Sequence, residues 1–397
     1  MAQVSLPQIE IDNLVILFSQ GRVQKVIDKI QVLNTDYPNI PLLFNMLGVC
    51  HKKLGNIALA SKMLDNAISL NPNYAEAHYN LGVILKQDGK LNNAVASYKR
   101  AIALLPNYAD AYNNLGNILK ELGQKDDAIE CYENVISIRP NYAEAHFNLG
   151  NILRGLGKLE AAKKSFEAAL IINPNYSEAK HLLNGLTGHT SKAPPREYVE
   201  NLFNGFAERF NDSLTNKLEY NLPSLVNEII IKLSAERKIF DKVIDLGCGT
   251  GLSGRGLRSL SGHLTGIDLS VNMIAEAKEL NIYDSLIVGD IVEILNSSKD
   301  KYDLLIALDV LIYIGEVKEF FKAARACCNK NAFFIFSVES KMGDGYSLLK
   351  TARYSHSKSY ILNSASEGFN LIESQEINLR KEYEGWILGT IYIFQAS

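Results

Sequence analysis

The first half of the chain repeats itself. Segments beginning at Pro41, Ala75, Ala109 and Ala143 each run thirty-four residues, to Tyr74, Tyr108, Tyr142 and Tyr176, and three open on nearly the same phrase, AEAHYNLG, ADAYNNLG and AEAHFNLG. A unit of this length cannot bury its apolar face alone, so successive copies must stack into an array with a continuous core. Within each copy the positions spell two antiparallel helices. Gly82, Gly116 and Gly150 put the smallest residue where the helices approach, and Gly89, Gly123 and Gly157 stop the first helix with a left-handed turn. Ala94, Ala128 and Ala162, with Tyr98, Tyr132 and Phe166, form a small-and-large stripe on the second helix, which Pro106, Pro140 and Pro174 close. A degenerate copy from Pro7 to Ile40 keeps Gly21 and Pro38 and reads as an end cap, while SEAKHLLNGL from Ser177 reads as a helix sealing the other end.

The period resembles that of tetratricopeptide repeats, which implies a solenoid whose first helices line a concave wall. Asn80, Asn114 and Asn148 hold the same position in successive copies, and Asn117 and Asn151 follow three residues later on the same face. A ladder of carboxamides both donates to and accepts from an extended backbone, so these five residues are candidates for a groove that takes a protein or peptide. The competing role is solvation of the inner face or capping of repeat-to-repeat contacts. GLTGHTSKAPP, 185–195, breaks the rhythm with turn-forming residues and two prolines that cannot continue a helix.

The second half centres on VIDLGCGTG, Val243 to Gly251, and LTGIDLS from Leu264. A buried strand runs into a turn where Gly247, Gly249 and Gly251 leave the backbone open to a ligand and free to adopt positive φ. Two ligands compete for it. Gly249, Gly251 and Gly254 match GxGxxG, with Asp268 at a ribose-binding distance, as a dinucleotide such as NAD requires. Asp245, two residues before the first glycine, argues the other way, because a carboxylate repels a pyrophosphate and attracts an ammonium. Cys248 inside the turn reads as a small space-filler.

Asp245-x-Gly247-x-Gly249-x-Gly251, Asp268 and GDI at 289–291 together resemble a class I S-adenosylmethionine-dependent methyltransferase. The resemblance implies S-adenosyl-L-methionine as cofactor. It implies that Asp268 and Leu269 meet the ribose, Asp290 the adenine amino group, the Ile291 backbone another adenine nitrogen, and Leu308 with Asp309 the methionine end. Asp268 and Asp290 also suit helix N-caps. REYVENLFNGFAERFNDSL places Leu202, Phe203, Phe206 and Phe210 on one stripe; the resemblance makes that stripe, with Tyr198, a lid over the cofactor, whereas ordinary packing would set it on the sheet. A helix over 221–235 leads into the first strand.

Strands are expected at 242–246, 264–268, 285–288, 302–308 and 332–337, alternating with helices, and two late strands at 369–377 and 386–394. This pattern predicts a multidomain chain: an all-α repeat solenoid over 1–187, a linker at 188–195, and an α/β doubly wound, Rossmann-like domain over 196–397. Methyl transfer from a sulfonium needs aim and exclusion of water more than a metal, and no metal-ligand cluster stands out. Asp309, Tyr313 and His356 are the residues expected to orient or deprotonate the acceptor.

The whole chain resembles bacterial tetratricopeptide-repeat methyltransferases, and DVLIYIG at 309–315 resembles small-molecule methyltransferases of the ubiquinone-biosynthesis type. Three functions follow: a methyltransferase whose repeats recruit a protein acceptor or partner, a small-molecule methyltransferase with repeats used for assembly, and a non-catalytic scaffold that binds the methyl donor. The formal net charge of -3 gives no expectation of nucleic-acid binding. No apolar run reaches membrane-spanning length and five scattered cysteines lack disulfide or zinc spacing, so a cytoplasmic protein without a membrane partner is expected.

Overall fold

The structure is a computed structural model describing residues 6–212, 214, 218–233, 239–382 and 385–397. The chain divides into two compact units, 1–175 and 176–397.

The first unit is a run of helix pairs: α1 (Gln8–Ser19) with α2 (Val23–Asp36), α3 (Pro41–Lys53) with α4 (Ile57–Leu70), α5 (Ala75–Gln87) with α6 (Leu91–Leu104), α7 (Ala109–Glu121) with α8 (Lys125–Ile138), and α9 (Ala143–Gly155) with α10 (Leu159–Ile172). The four pairs from α3–α4 to α9–α10 close where the sequence puts a glycine, at Gly48, Gly82, Gly116 and Gly150. A methyl group on Gly82 would lie 2.7 Å from Tyr98 Cε1, and one on Gly150 would lie 2.7 Å from Phe166 Cε1. The large ring of the second helix therefore occupies the space the first helix leaves open. Gly89, Gly123 and Gly157 take φ of 72°, 77° and 73°, the left-handed stop expected of them.

The second unit begins earlier than the expected boundary at 187. α11 (Ser177–Thr187) belongs to it, because Gly185 presses on the Leu349 carbonyl and the His181 ring bonds the Ala352 carbonyl at 3.3 Å. The stretch expected to be a linker is woven into the same unit. Lys192 O accepts from Glu316 N at 2.8 Å, Thr190 Oγ1 accepts from Leu348 N, and Ser191 shares a hydrogen bond with the Tyr354 hydroxyl.

Next come α12 (Arg196–Asn204), α13 (Ala207–Asp212) and α14 (Leu222–Leu233); residues 234–235 of the expected leading helix lie outside the described residues. Then follow β1 (Phe240–Leu246), α15 (Leu252–Leu257), β2 (Ser261–Asp268), α16 (Val271–Glu279), β3 (Ser285–Val288), α17 (Ile291–Ser297), β4 (Tyr302–Ala307), α18 (Lys318–Ala326), β5 (Cys328–Ser340), β6 (Tyr346–Leu348), β7 (Tyr354–His356), α19 (Lys358–Ala365), β8 (Phe369–Glu382) and β9 (Gly385–Ala396).

The sheet runs β3-β2-β1-β4-β5 in parallel, and β9 adds antiparallel between β5 and β8. Both faces of the central strands are covered, so β4 and the carboxyl halves of β1 and β2 are buried and largely apolar, while β3 and β8 are mostly exposed. On one face Leu305, Ala307, Phe334 and Phe336 pack with Phe320 and Phe321 of α18; on the other Val243, Leu304, Ile306 and Ile335 pack with Val226 and Ile230 of α14. An antiparallel strand inserted before the last one departs from the all-parallel dinucleotide order.

The β6–β7 hairpin has no counterpart in the expected strands. β7 pairs with β5 only at Glu339 and Ser340, and β9 holds the opposite edge there. The hairpin therefore stands on the β4 side, past the end of β4, which pairs no further than Ala307 with Phe336.

Candidate functional site

The carboxyl ends of β1, β2 and β4 converge on the glycine turn. Gly247, Gly249 and Gly251 have φ of 70°, 54° and 88°, and a side chain at Gly247 would lie 2.4 Å from Val310 Cγ2 in the loop after β4. The Cys248 N–H donates to the Ile267 carbonyl at 2.9 Å, tying the turn to β2. Its thiol is buried and pushed well above the ordinary value by burial, with the charges of Asp245 and Asp268 adding, so it is an inert space-filler.

Asp268 ends β2 and is not a cap. Its Oδ2 accepts from Gly249 N at 2.9 Å and its Oδ1 from Ser270 N at 2.8 Å, while Ser270 caps α16. Burial raises its pKa; the backbone donors at Ser270, Gly249 and Leu269 oppose the rise. The two oxygens offer about four lone-pair directions, more than the backbone donors occupy. Asp290 is the cap of α17, with Oδ1 accepting from Val292 N and Glu293 N at 2.9 and 3.0 Å. Ile291 opens that helix, half-buried, and Leu308 is buried against β1 and β5 neighbours.

Asp245 is 1% exposed, and its Oδ2 accepts from the Tyr283 hydroxyl at 2.7 Å. Burial pushes its carboxyl up to about 7, with Tyr283's hydrogen bond pulling down and Asp268's charge pushing up. Among the described residues no cation contributes to that shift, and the buried carboxylate there is suited to one. An ammonium group fits this residue; a pyrophosphate does not.

Tyr283 and its neighbours escape a reading of the sequence alone. α12 and α13 lie over the turn: Thr250 donates to Asn211 Oδ1 at 2.5 Å, Ser270 donates to Asn204 Oδ1 at 2.6 Å, and Phe210 sits 3.6 Å from where a Gly249 side chain would begin. Phe203 meets Phe210 and Tyr313 edge-on at 6.1 and 5.1 Å. Of the apolar stripe, Phe203 and Phe210 face inward to the turn and Phe206 is 47% exposed, so this segment covers the turn instead of packing flat on the sheet.

After β4, Asp309 adopts φ 55°, a left-handed conformation uncommon for a residue with a side chain. Its N–H donates to Ser337 Oγ at 2.9 Å, and its Oδ2 accepts from Arg380 Nη1 at 2.9 Å. Arg380 also bonds Glu339 and Glu382, and Arg353 bonds the same two glutamates, giving three carboxylates and two guanidiniums at the strand ends. Burial raises the pKa of Glu382, but Arg353 and Arg380 outweigh it and hold the group below its usual range. Charged residues inside β-patterned segments are the signal that marks this cluster. Tyr313 is beside it, its phenol pushed up to about 12 by burial and drawn back by Arg353.

His356 is placed differently from an acceptor-binding base. It is 1% exposed, between the Tyr346 and Tyr360 rings, with Nε2 within 2.9 Å of the Ile314 carbonyl and 3.1 Å of the Gly315 carbonyl. Carbonyls only accept, so Nε2 carries the proton, and Nδ1 is enclosed with no partner among the described residues. Burial lowers its pKa to about 4, against the pull of the two carbonyls. This geometry ties His356 to the backbone of the loop at Ile314 and Gly315.

In the repeats, the asparagine ladder is engaged in ties between copies. Asn80 Nδ2 donates to Asn45 Oδ1 at 2.9 Å, Asn114 Nδ2 to the Tyr79 hydroxyl at 3.1 Å, and Asn148 Nδ2 to Asn117 Oδ1 at 3.3 Å; Tyr132 donates to Asn117 as well, at 2.7 Å. Of the two roles the sequence offers, repeat-to-repeat contact is the one the hydrogen bonds carry. Asn151 is half-buried on α9. Among the described residues no helix is long and apolar enough to cross a membrane.

An array of paired helices followed by a doubly wound sheet with an antiparallel insertion defines a repeat protein fused to a nucleotide-type α/β domain. Comparison with known proteins gives each half its family. Tetratricopeptide-repeat models match residues 51–89, 84–123, 116–154 and 143–176, and a methyltransferase-domain model matches 244–334, so the chain carries tetratricopeptide repeats and a methyltransferase domain.

The chain is 26% identical over 144 residues to the 18S rRNA (guanine-N(7))-methyltransferase RID2 of Arabidopsis thaliana, covering 31% of this chain and 50% of that protein. It is 23% identical over 116 residues to the ubiquinone biosynthesis O-methyltransferase of Glaesserella parasuis serovar 5, covering 27% and 49%. It thus spans about half the length of these curated relatives. The crystal structure of MamA is 31% identical, with a TM-score of 0.38, over 40% of this chain and 92% of that one.

Proposed function

We propose that this protein transfers the methyl group of S-adenosyl-L-methionine to an acceptor that is a protein, or is delivered by one, held by the repeats. The observation that carries the donor assignment is Asp245, a carboxylate buried at the glycine turn with no balancing cation among the described residues. It takes the donor's ammonium. The free lone pairs of Asp268 take the ribose hydroxyls with Leu269 alongside. Oδ2 of Asp290, which makes none of the cap bonds, takes the adenine amino group beside the Ile291 backbone. When bound, the donor supplies an activated methyl on a positive sulfur, and the chain's own task is to aim an acceptor and keep water out.

α12 and α13 exclude water by covering the turn, with Phe203 and Phe210 as its apolar inner surface. Asp309 and Tyr313 stand at the end of β4 for orienting the acceptor, the former fixed by Ser337 and Arg380. His356 holds the loop that carries Tyr313. The repeat array supports the protein-acceptor reading, since repeats of this kind present an extended inner wall suited to polypeptide. A small-molecule acceptor is the second reading, favoured by the covering segments on the turn and the hairpin standing past β4.

Calorimetric titration with S-adenosylmethionine and S-adenosylhomocysteine, with NAD and an Asp268→Ala variant as controls, tests the donor. Binding of both sulfur compounds, lost in the variant and absent for NAD, is expected; binding of none would overturn the donor assignment, and binding without transfer to any acceptor would leave the non-catalytic scaffold. Labelled donor with cell extract then separates acceptors, label in protein supporting the first reading and label in small solutes the second.

A further inference from the structure

We infer that Tyr283 is the positioning residue that holds Asp245 in register for the donor's ammonium group, and so determines which ligand the glycine turn accepts. This rests on the donor reading above and goes beyond it by assigning the residue that makes the acidic site work.

Tyr283 belongs to none of the strands or helices of the sheet; it stands on the link between α16 and β3. Its ring enters a slot walled by glycines from three elements. A methyl on Gly254 of α15 would lie 2.3 Å from the hydroxyl oxygen and 2.4 Å from Cζ. One on Gly266 of β2 would lie 2.9 Å from Cε1, and one on Gly251 of the turn 3.2 Å from Cε2. A rigid ring cannot yield that much at Gly254 and Gly266, so a side chain at either would displace Tyr283, while Leu280 at 2.8 Å is the nearer neighbour of Gly251. The third glycine of the apparent GxGxxG therefore serves a tyrosine, and the dinucleotide-like spacing has a different cause.

The slot aims the hydroxyl at Asp245 Oδ2, 2.7 Å away. Burial and the charges of Asp245 and Cys248 keep the phenol protonated, so it donates and the carboxylate accepts. Among the described residues the other groups interacting with Asp245 are Asp268, Cys248 and Tyr220, none of them a cation. Tyr283 is thus the group that favours the charged carboxylate before a ligand arrives. A ligand ammonium adds to that preference, and an anion opposes it.

The test is titration of S-adenosylhomocysteine into wild type, Tyr283→Phe and Gly254→Ala across about pH 6 to 9, with NAD as control. Tyr283→Phe keeps the ring in its slot and removes only the hydroxyl that donates to Asp245. It is expected to match wild type near pH 9 and to bind about tenfold more weakly near pH 7, because losing a hydrogen bond to a charged group moves the weakening to higher pH. Gly254→Ala, which displaces the ring, is expected to shift the profile the same way. A Tyr283→Phe profile that overlays wild type overturns the inference, since a ring that merely fills space would leave it unmoved. If thermal melting shows that Tyr283→Phe does not fold, an unshifted profile in Gly254→Ala overturns it instead. Wild type that binds neither S-adenosylmethionine nor S-adenosylhomocysteine overturns the donor reading itself, a separate and visible failure.

Discussion

Asp268 and Gly249 are bonded to each other at 2.9 Å, the carboxylate at the end of β2 accepting the N–H in the middle of the glycine turn. One side chain thereby fixes the turn's shape and remains available to a ligand through its remaining lone-pair capacity. Asp268→Asn exchanges an acceptor oxygen for a donor facing a backbone N–H. Donor affinity is expected to fall by about tenfold to a hundredfold, the range for losing a charge-assisted bond, while melting temperature falls modestly. Titration with S-adenosylhomocysteine alongside a thermal melt measures both.

Asp245 gives a pH dependence with a definite sign. Its folded pKa, about 7, is above the ordinary 3.8, so between those values the folded chain holds a proton that the unfolded chain has released. Stability therefore falls as pH rises through that window, by up to about 1.4 kcal/mol per unit from this group. Asp245→Asn is expected to melt above wild type near pH 8 and to lose that advantage near pH 4, while binding no donor. Melting curves at the two pH values decide it, and added S-adenosylhomocysteine should restore wild type at pH 8.

Much of this architecture is legible in the chain because local and global signals agree. The thirty-four-residue phrase, the glycine against Tyr98 or Phe166, and the apolar strands between helices each point one way. β6 and β7 are three residues each, too short for a period to show, and β5 and β8 extend beyond their apolar stretches into Glu339 and Arg380, whose burial depends on each other. Tyr283 is invisible for a related reason: its meaning lies in glycines from three separate elements that only the fold assembles. The boundary at Tyr176 moves because α11 has apolar and polar partners in the second unit that no local pattern announces.

The asparagine ties between repeats predict a stability effect. Asn148 is 6% exposed and bonds Asn117, which also accepts from buried Tyr132. Asn148→Ala is expected to cost about 1 kcal/mol, and replacing Asn80, Asn114 and Asn148 together about 2 to 4 kcal/mol, since distant ties add. Denaturant titration of the full chain measures this. Capture of a polypeptide partner by the triple variant must be read at a temperature where its array is folded, and loss of capture under that condition supports a groove role in addition to the structural one.

His356 closes the set with the opposite sign from Asp245. Burial lowers its pKa from 6.5 to about 4, so between these values the unfolded chain binds a proton that the folded chain does not. This group's contribution is fully present above about pH 6.5 and is lost as pH falls toward 4, at about 1.4 kcal/mol per unit at most. His356→Gln, which keeps a donor for the Ile314 and Gly315 carbonyls without a titrating ring, should melt below wild type at pH 8 and lose less on acidification. Turnover of a positioning residue's variant falls through loop placement, so its pH profile should keep the wild-type midpoint; a profile that loses an inflection instead would give His356 a direct part in proton transfer.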